Sequence, residues 1–198
     1  MKSKAKSPKA KPLVAHIVVD VLGDFISGSL ACAHAREAIE AIVLRINAAP
    51  DEPVFYVCDA HPAQHCSFVE QGGLWPTHCV KGTPGQAIDA AFYARVQAPE
   101  QRPHVESIFE KAVAEATDAY SGYEARNAAG CCLYQCLRPG QTVLISGIAT
   151  EYCVFETAKD FLNAGFRVQV LQDGLAYVSL EGHREMLQQM QAAGMELV

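Results

Sequence analysis

The sequence predicts a three-layer α/β/α sandwich built on a mostly parallel sheet of about six strands. Short apolar runs rich in Val, Ile and Leu alternate with longer segments whose apolar residues recur at helical spacing. Strands separated by helices return in parallel, because a parallel connection needs a long crossover. The strand-like runs are also nearly continuous in hydrophobicity, as expected where helices cover both faces of a sheet.

Residues 13–19 read as the first strand, ending at Asp20. Residues 32–48 carry Ala, Ile and Leu at helical spacing, with Arg36, Glu37, Glu40 and Arg45 outside them, which predicts an amphipathic helix. Residues 53–58 form a second strand, ending at Asp59. The stretch 60–81 is irregular and holds Pro62, Gly72-Gly73 and Pro76. Loops of that length are functional or disordered, and Phe68, Trp75 and three histidines argue for order. Thr83-Pro84 reads as an N-cap followed by proline at the first helical position, opening a helix to about Gln97. Residues 105–109 predict a third strand leading to Lys111, and 124–137 a helix.

Residues 143–145 form a fourth strand between Pro139-Gly140 and Ser146-Gly147. Thr150 is a suitable N-cap for a helix over 151–164 that stops at Gly165. Residues 166–171 predict a fifth strand, 180–193 a helix and 195–198 a last strand. No internal repeat is visible, and 198 residues fit one domain over 13–198.

The chain is large enough to bury roughly 70% of its unfolded surface without a disulfide or metal. Its eight cysteines are irregularly spaced. The apolar run 13–19 is short and interrupted by His16, so it predicts neither a signal peptide nor a membrane span. Reduced thiols in a reducing, cytoplasmic compartment are therefore expected. Of 16 lysines and arginines, five fall within residues 1–11, leaving 11 against 22 acids in the rest. The segment 1–12 is expected to be a disordered basic tail. The acidic body argues against nucleic acid as a partner, and a homo-oligomer is compatible with this composition.

In a parallel α/β sheet, ligands bind beyond the carboxyl ends of the strands. Asp20, Asp59, Lys111 and the turn leading to Cys153 all follow predicted strand ends. Each has an ordinary structural explanation alone; their convergence on one sheet edge is the signal. Cys153, Asp20 and Lys111 supply a nucleophile, a general base and a cation, a sufficient set for amide hydrolysis through a thioester. Backbone N–H groups at the start of a helix favour a thiolate and can hold an oxyanion.

Asp59 and His61, two residues apart, with His78 across the loop, make a two-His, one-carboxylate set with open coordination positions. His65 is an alternate ligand, and Glu70 is placed behind the ligands. A structural zinc on Cys58, His61, Cys66 and Cys79 competes with this reading, although Cys58 should face the core. Gly82-Thr-Pro-Gly85 lacks the Lys-Ser/Thr of a phosphate loop.

Six segments together resemble the nicotinamidases (pyrazinamidases), members of the isochorismatase-like cysteine hydrolases with a Rossmann-like sandwich. They are Asp20-Val-Leu-Gly-Asp-Phe25, Asp59-Ala-His-Pro62, Gly73-Leu-Trp-Pro-Thr-His-Cys-Val-Lys-Gly-Thr-Pro-Gly85, Phe109-Glu-Lys111, Asp118-Ala-Tyr-Ser121 and Gly147-Ile-Ala-Thr-Glu-Tyr-Cys-Val154. The resemblance implies a triad of Asp20, Lys111 and Cys153. It implies one divalent metal on Asp59, His61 and His78, zinc first, with manganese or iron as alternatives.

It further implies Phe25, Trp75 and Tyr120 around a pyridine ring. A cis Ile148–Ala149 peptide would aim the N–H groups of Ala149 and Cys153 at an oxyanion. The implied reaction converts nicotinamide, or pyrazinamide, to the acid and ammonia in NAD salvage. Leu22-Gly23 stands where the family usually has Gln-Asn, Ala60 where it has Trp, and Glu151 where it has Asp. The Leu22-Gly23 departure keeps in view a hydrolase of another amide, N-carbamoyl or ureido compound; a non-catalytic metal- or ligand-binding relative is a second alternative, against which the intact triad argues.

Overall fold

The computed structural model describes residues 14–198, so the basic tail lies outside the described residues. Six strands form one sheet in the order β3-β2-β1-β4-β5-β6, and every pairing is parallel. They are β1 (Val14–Val19), β2 (Val54–Asp59), β3 (Ile108–Lys111), β4 (Thr142–Gly147), β5 (Arg167–Leu175) and β6 (Glu196–Leu197). The helices are α1 (Gly23–Ile26), α2 (Ala35–Asn47), α3 (Ala90–Ala94), α4 (Phe155–Asn163) and α5 (Leu180–Ala192). Among the described residues no helix is long and apolar enough to cross a membrane.

Side chains along a strand point alternately to the two faces, and the core divides accordingly. Ala15, Ile17 and Val19 pack with Ala158 and Phe161 of α4 and Met190 of α5. Val18, Tyr56 and Cys58 pack with Ile39, Ile42, Val43 and Ile46 of α2 and Phe92 of α3. These two clusters are the interfaces between the sheet and its two helical layers. His16 lies on β1 and is buried; its Nε2 is 2.8 Å from the Ser146 hydroxyl. Burial, helped by the charge of Arg45, pushes its pKa down to about 3, so the ring is neutral.

The structure corrects several sequence expectations. The helix expected from Pro84 to Gln97 is a 3₁₀ turn, Pro84–Gln86, followed by the short α3, whose N-cap is Asp89 accepting from the Ala91 N–H. The stretch 124–137 contains no α-helix. Asn127 Oδ1 accepts from the N–H groups of Ala129 and Cys131, and Arg126 bridges antiparallel to Glu110 and Cys132. This is the competition by which a short polar side chain replaces helical hydrogen bonds. Only a 3₁₀ turn, Leu133–Cys136, follows.

The third strand is displaced from 105–109 to Ile108–Lys111. The fifth extends to Leu175, beyond 171. Thr150 does not cap α4; residues Thr150–Val154 wind as one π-helical turn, and α4 begins only at Phe155. The Thr150 hydroxyl instead donates to the Ala176 carbonyl.

Gly147 ends β4 with φ of 123°, and a Cβ there would lie 1.9 Å from the Val19 carbonyl oxygen. Gly147→Ala should therefore destabilise the fold by about 3 kcal/mol or more, combining backbone strain with a backbone clash. A urea unfolding midpoint matching that of the wild type would contradict this.

Candidate active site

Strand order and register build the site. β1 and β4 are neighbours from which the chain winds outward in both directions, so a crevice opens beyond their carboxyl ends. Val19 pairs with both Val57 and Gly147, and Asp59 pairs with Lys111. Asp20, Asp59, Lys111 and the turn after Gly147 are thereby brought to one edge. Asp20, Cys79 and Ala112 all have positive φ. Non-glycine residues held in that region concentrate at functional sites.

The Lys111 ammonium is the centre of the first group and is buried. It donates to Asp59 Oδ1, stands 3.0 Å from Asp20 Oδ2 and 3.4 Å from Cys153 Sγ, and donates to the Ala119 carbonyl at 3.3 Å. Asp20 Oδ1 accepts from the Asp59 N–H at 2.9 Å, fixing the carboxylate. Burial alone would drive Lys111 towards neutrality, but Asp20 and Asp59 outweigh it and hold its pKa well above the usual lysine range. Burial also opposes the charge on Asp59, yet Lys111 and His61 keep that carboxylate below its ordinary range. Asp20 is pushed up to about 6 by burial and then by the Asp59 charge, against the opposing pull of Lys111.

Cys153 departs from expectation. Burial pushes its thiol well above the ordinary range, Lys111 pulls it down, and Asp20 and Asp59 push it up again. The resting group is a thiol. Burial removes the sulfur from water and opposes the pull towards a thiolate of the helical turn Thr150–Val154, in which Cys153 lies. One oxygen each from Asp20 and Asp59 lies within 4.8 Å of the sulfur.

Lys111 is thus the main group favouring the thiolate. Lys111→Ala should slow alkylation of Cys153 near neutral pH by about tenfold, one unit of thiolate population. An unchanged alkylation rate, in a variant whose circular dichroism matches the wild type, would count against that role.

The second group is Asp59, His61 and His78, all buried, with one donor atom of each within 4.8 Å of the others. His61 Nδ1 faces the Ala112 carbonyl at 3.3 Å, and His78 Nδ1 faces the Pro76 carbonyl at 2.7 Å. Each carbonyl accepts from Nδ1–H, which leaves Nε2 as the lone-pair atom. His61 Nε2 is buried with no hydrogen-bond partner among the described residues and lies 3.5 Å from Asp59 Oδ2. Burial lowers the pKa of His78, which keeps it in the neutral, metal-binding form. An orphaned ring nitrogen, a second neutral imidazole and a carboxylate fit a divalent ion such as zinc, with coordination positions left over. Asp20, Asp59 and Cys153 are equally close together, but the Lys111 ammonium already supplies their cation.

The alternative ligand residues separate. Cys58, His61, Cys66 and Cys79 form no metal-sized cluster among the described residues, and Cys58 lies in the core beneath α2. Both ring nitrogens of His65 face protein groups, the Ser67 hydroxyl at 2.7 Å and the Thr117 carbonyl at 3.2 Å, while the ring packs 4.2 Å from that of His61. Glu70 is exposed and accepts from the Thr77 hydroxyl, so it braces the loop and does not back the ligands.

One cavity joins the two groups. It is lined by Asp59, His61, His78, Ala149 and Cys153, with Phe25, Trp75 and Tyr120 among its walls. The Ile148–Ala149 peptide is cis. Trp75 Nε1 donates to the Tyr120 hydroxyl at 3.1 Å, and the Trp75 ring meets Tyr152 edge-on at 5.0 Å.

Tyr152, Cys32 and Val178 also line the cavity and were not singled out in the sequence. Tyr152 had a usable signal, its place beside Cys153. Cys32 and Val178 had none, since they arrive from distant segments. Asp24 was also passed over: its carboxylate accepts from the Cys79 N–H at 2.8 Å, anchoring the loop next to His78. Leu22 and Gly23 do not line the cavity. Leu22 is in the core, and a Cβ on Gly23 would meet the Pro84 carbonyl at 2.6 Å. Glu151 accepts from the N–H groups of Val178 and Ser179, outside the reacting groups.

The chain is similar to known proteins in sequence and fold. The Isochorismatase domain matches residues 14–198. The nicotinamidase/pyrazinamidase of Mycobacterium tuberculosis is 36% identical over 189 residues, covering 92% of this chain and 96% of that protein. The nicotinamidase of Escherichia coli is 27% identical, covering 86% of each. Among solved structures, the pyrazinamidase of Pyrococcus horikoshii in complex with zinc superimposes with a TM-score of 0.79 at 34% identity, covering 94% of this chain and 99% of that one. A protein of L. infantum in complex with nicotinate gives a TM-score of 0.78 at 27% identity, covering 93% and 91%. A six-stranded parallel sheet with a cysteine, aspartate and lysine at its carboxyl edge, matched over 185 residues by one domain family, has one assignment: this chain belongs to the isochorismatase family.

Proposed function

We propose that the protein is a metal-dependent amidohydrolase that converts nicotinamide to nicotinate and ammonia in NAD salvage, and that it also accepts pyrazinamide. The observation that carries this reading is the shared cavity: the Cys153 thiol, with the buried Asp20 and Lys111 beside it, opens onto the same space as a two-His, one-carboxylate group. The names of the relatives in M. tuberculosis and E. coli support the same substrate class.

In this reading Asp20 is the proton carrier. Its carboxylate is ionised at neutral pH while the neighbouring thiol is not, so it is in the right state to accept the Cys153 proton. The ammonium of Lys111, 3.4 Å from the sulfur, stabilises the charge that appears there. The sulfur attacks the carboxamide carbon, and the N–H groups of Ala149 and Cys153 receive the developing oxyanion. Asp20 returns the proton to the departing ammonia, leaving a thioester. It then takes a proton from water, whose oxygen attacks the thioester carbon, releases nicotinate and restores the thiol.

Phe25, Trp75 and Tyr120 enclose the ring and exclude water. Asp59, His61 and His78 would hold a divalent ion, zinc in the first instance, which when bound offers a Lewis-acid position for the pyridine nitrogen and so orients the ring. Asp59 belongs to both groups, with one oxygen on Lys111 and the other towards His61. The eight cysteines suit a reducing, cytoplasmic setting.

The test is ammonia release from nicotinamide, with metal content measured on the same sample. Stoichiometric nicotinate and ammonia from a protein carrying about one divalent ion per chain is the expected result. A metal-loaded, folded protein that releases no ammonia would overturn the reading.

A further inference from the structure

Cys131 precedes the short turn Leu133–Cys136 and Cys136 ends it, and their sulfurs are 3.7 Å apart. None of the eight cysteines is in a disulfide, and no other sulfur pair is in such contact among the described residues. Both are half-buried, whereas Cys58, Cys79, Cys132 and Cys153 are buried. Neither lines the catalytic cavity.

The surrounding backbone is pinned. Asn127 Oδ1 accepts from the Cys131 N–H at 3.0 Å, Gln135 Oε1 from the Cys132 N–H at 3.0 Å, and the Ala125 carbonyl from the Leu133 N–H at 2.9 Å. Both thiols point at the Cys132 carbonyl, at 3.6 and 3.7 Å. A disulfide needs its sulfurs about 2.05 Å apart, so from 3.7 Å the two have about 1.7 Å to close. Cys132 is occupied differently, since its buried side chain caps the turn.

We propose that Cys131 and Cys136 form a reversible thiol–disulfide site on the surface, reacting with low-molecular-weight disulfides. The thiolate of one cysteine attacks a sulfur of the reagent, making a mixed disulfide and expelling one reagent thiolate, which takes up a proton. The second cysteine loses its proton and attacks the protein sulfur of that mixed disulfide. An intrachain S–S bond forms and the second reagent thiol leaves. Two electrons and two protons pass from the protein thiols to the reagent, whose S–S bond becomes two S–H bonds. The site is independent of the proposed hydrolysis.

The probe is oxidised glutathione in excess, followed by intact mass measurement and peptide mapping of the whole chain. The wild type is expected to become lighter by two hydrogen atoms, with Cys131 joined to Cys136, and dithiothreitol should restore the original mass. Cys131→Ser and Cys136→Ser should each lose the internal bond and instead become heavier by one glutathionyl group. An internal disulfide that persists in Cys136→Ser would mean pairing of Cys131 with Cys132 and would overturn the proposal. So would a wild type that carries only glutathionyl adducts, or one that stays unmodified while its denatured form reacts.

Discussion

Replacing Cys153 by alanine should abolish nicotinamide turnover, leaving less than about 1% of the wild-type rate, because a covalent nucleophile carries several orders of magnitude. The sulfur is the one atom within reach of the Lys111 ammonium and the Asp20 carboxylate that can form the thioester. Removing a sulfur from a site packed by Val154 and Phe109 costs some stability, yet it leaves no charge unpaired, since Lys111 keeps both carboxylates. The variant should therefore retain its circular dichroism spectrum and its metal content. Activity above a few per cent in such a folded, metal-loaded variant would remove Cys153 from the role of nucleophile.

The second large effect concerns the metal group. His61→Ala or His78→Ala should lower metal content and reduce kcat/KM for nicotinamide by about 10²-fold or more, since loss of ring positioning alone is worth that much. A chelator should do the same to the wild type. Pyrazinamide, which keeps a ring nitrogen at the corresponding place, should be turned over, and benzamide, which has none, should not. The comparison to make is kcat/KM for nicotinamide and benzamide before and after the metal is stripped. Benzamide turnover close to that of nicotinamide, and indifferent to stripping, would leave the three ligands without the role proposed here. Because Asp59 also binds Lys111, an Asp59 variant would disturb both groups and is a poorer test than either histidine.

The sequence by itself determined the fold class, the six strands and the residues at their carboxyl ends. Those properties follow from local patterning: continuous Val/Ile/Leu runs specify strands covered on both faces, and helical spacing between them specifies crossovers. The same logic located Asp20, Asp59, Lys111 and Cys153, since strand ends in a parallel sheet converge on one edge whatever the loops do. Where hydrogen bonding by single side chains decided the conformation, local patterning failed. Asn127 turned an apparent helix over 124–137 into loops and a 3₁₀ turn, and Asp89 started the helix that Thr83-Pro84 seemed to announce.

Only the tertiary structure decided the electrostatic state of the site, because burial is a property of the whole fold. Cys153 rests as a thiol because the assembled core strips it of water, and Asp20 is pushed up to about 6 for the same reason and by the nearby Asp59 charge. The choice between His65 and His78 as ligand was also tertiary: both lie on the loop, but Ser67 and Thr117 engage the first, while the Pro76 carbonyl leaves Nε2 of the second facing His61 and Asp59.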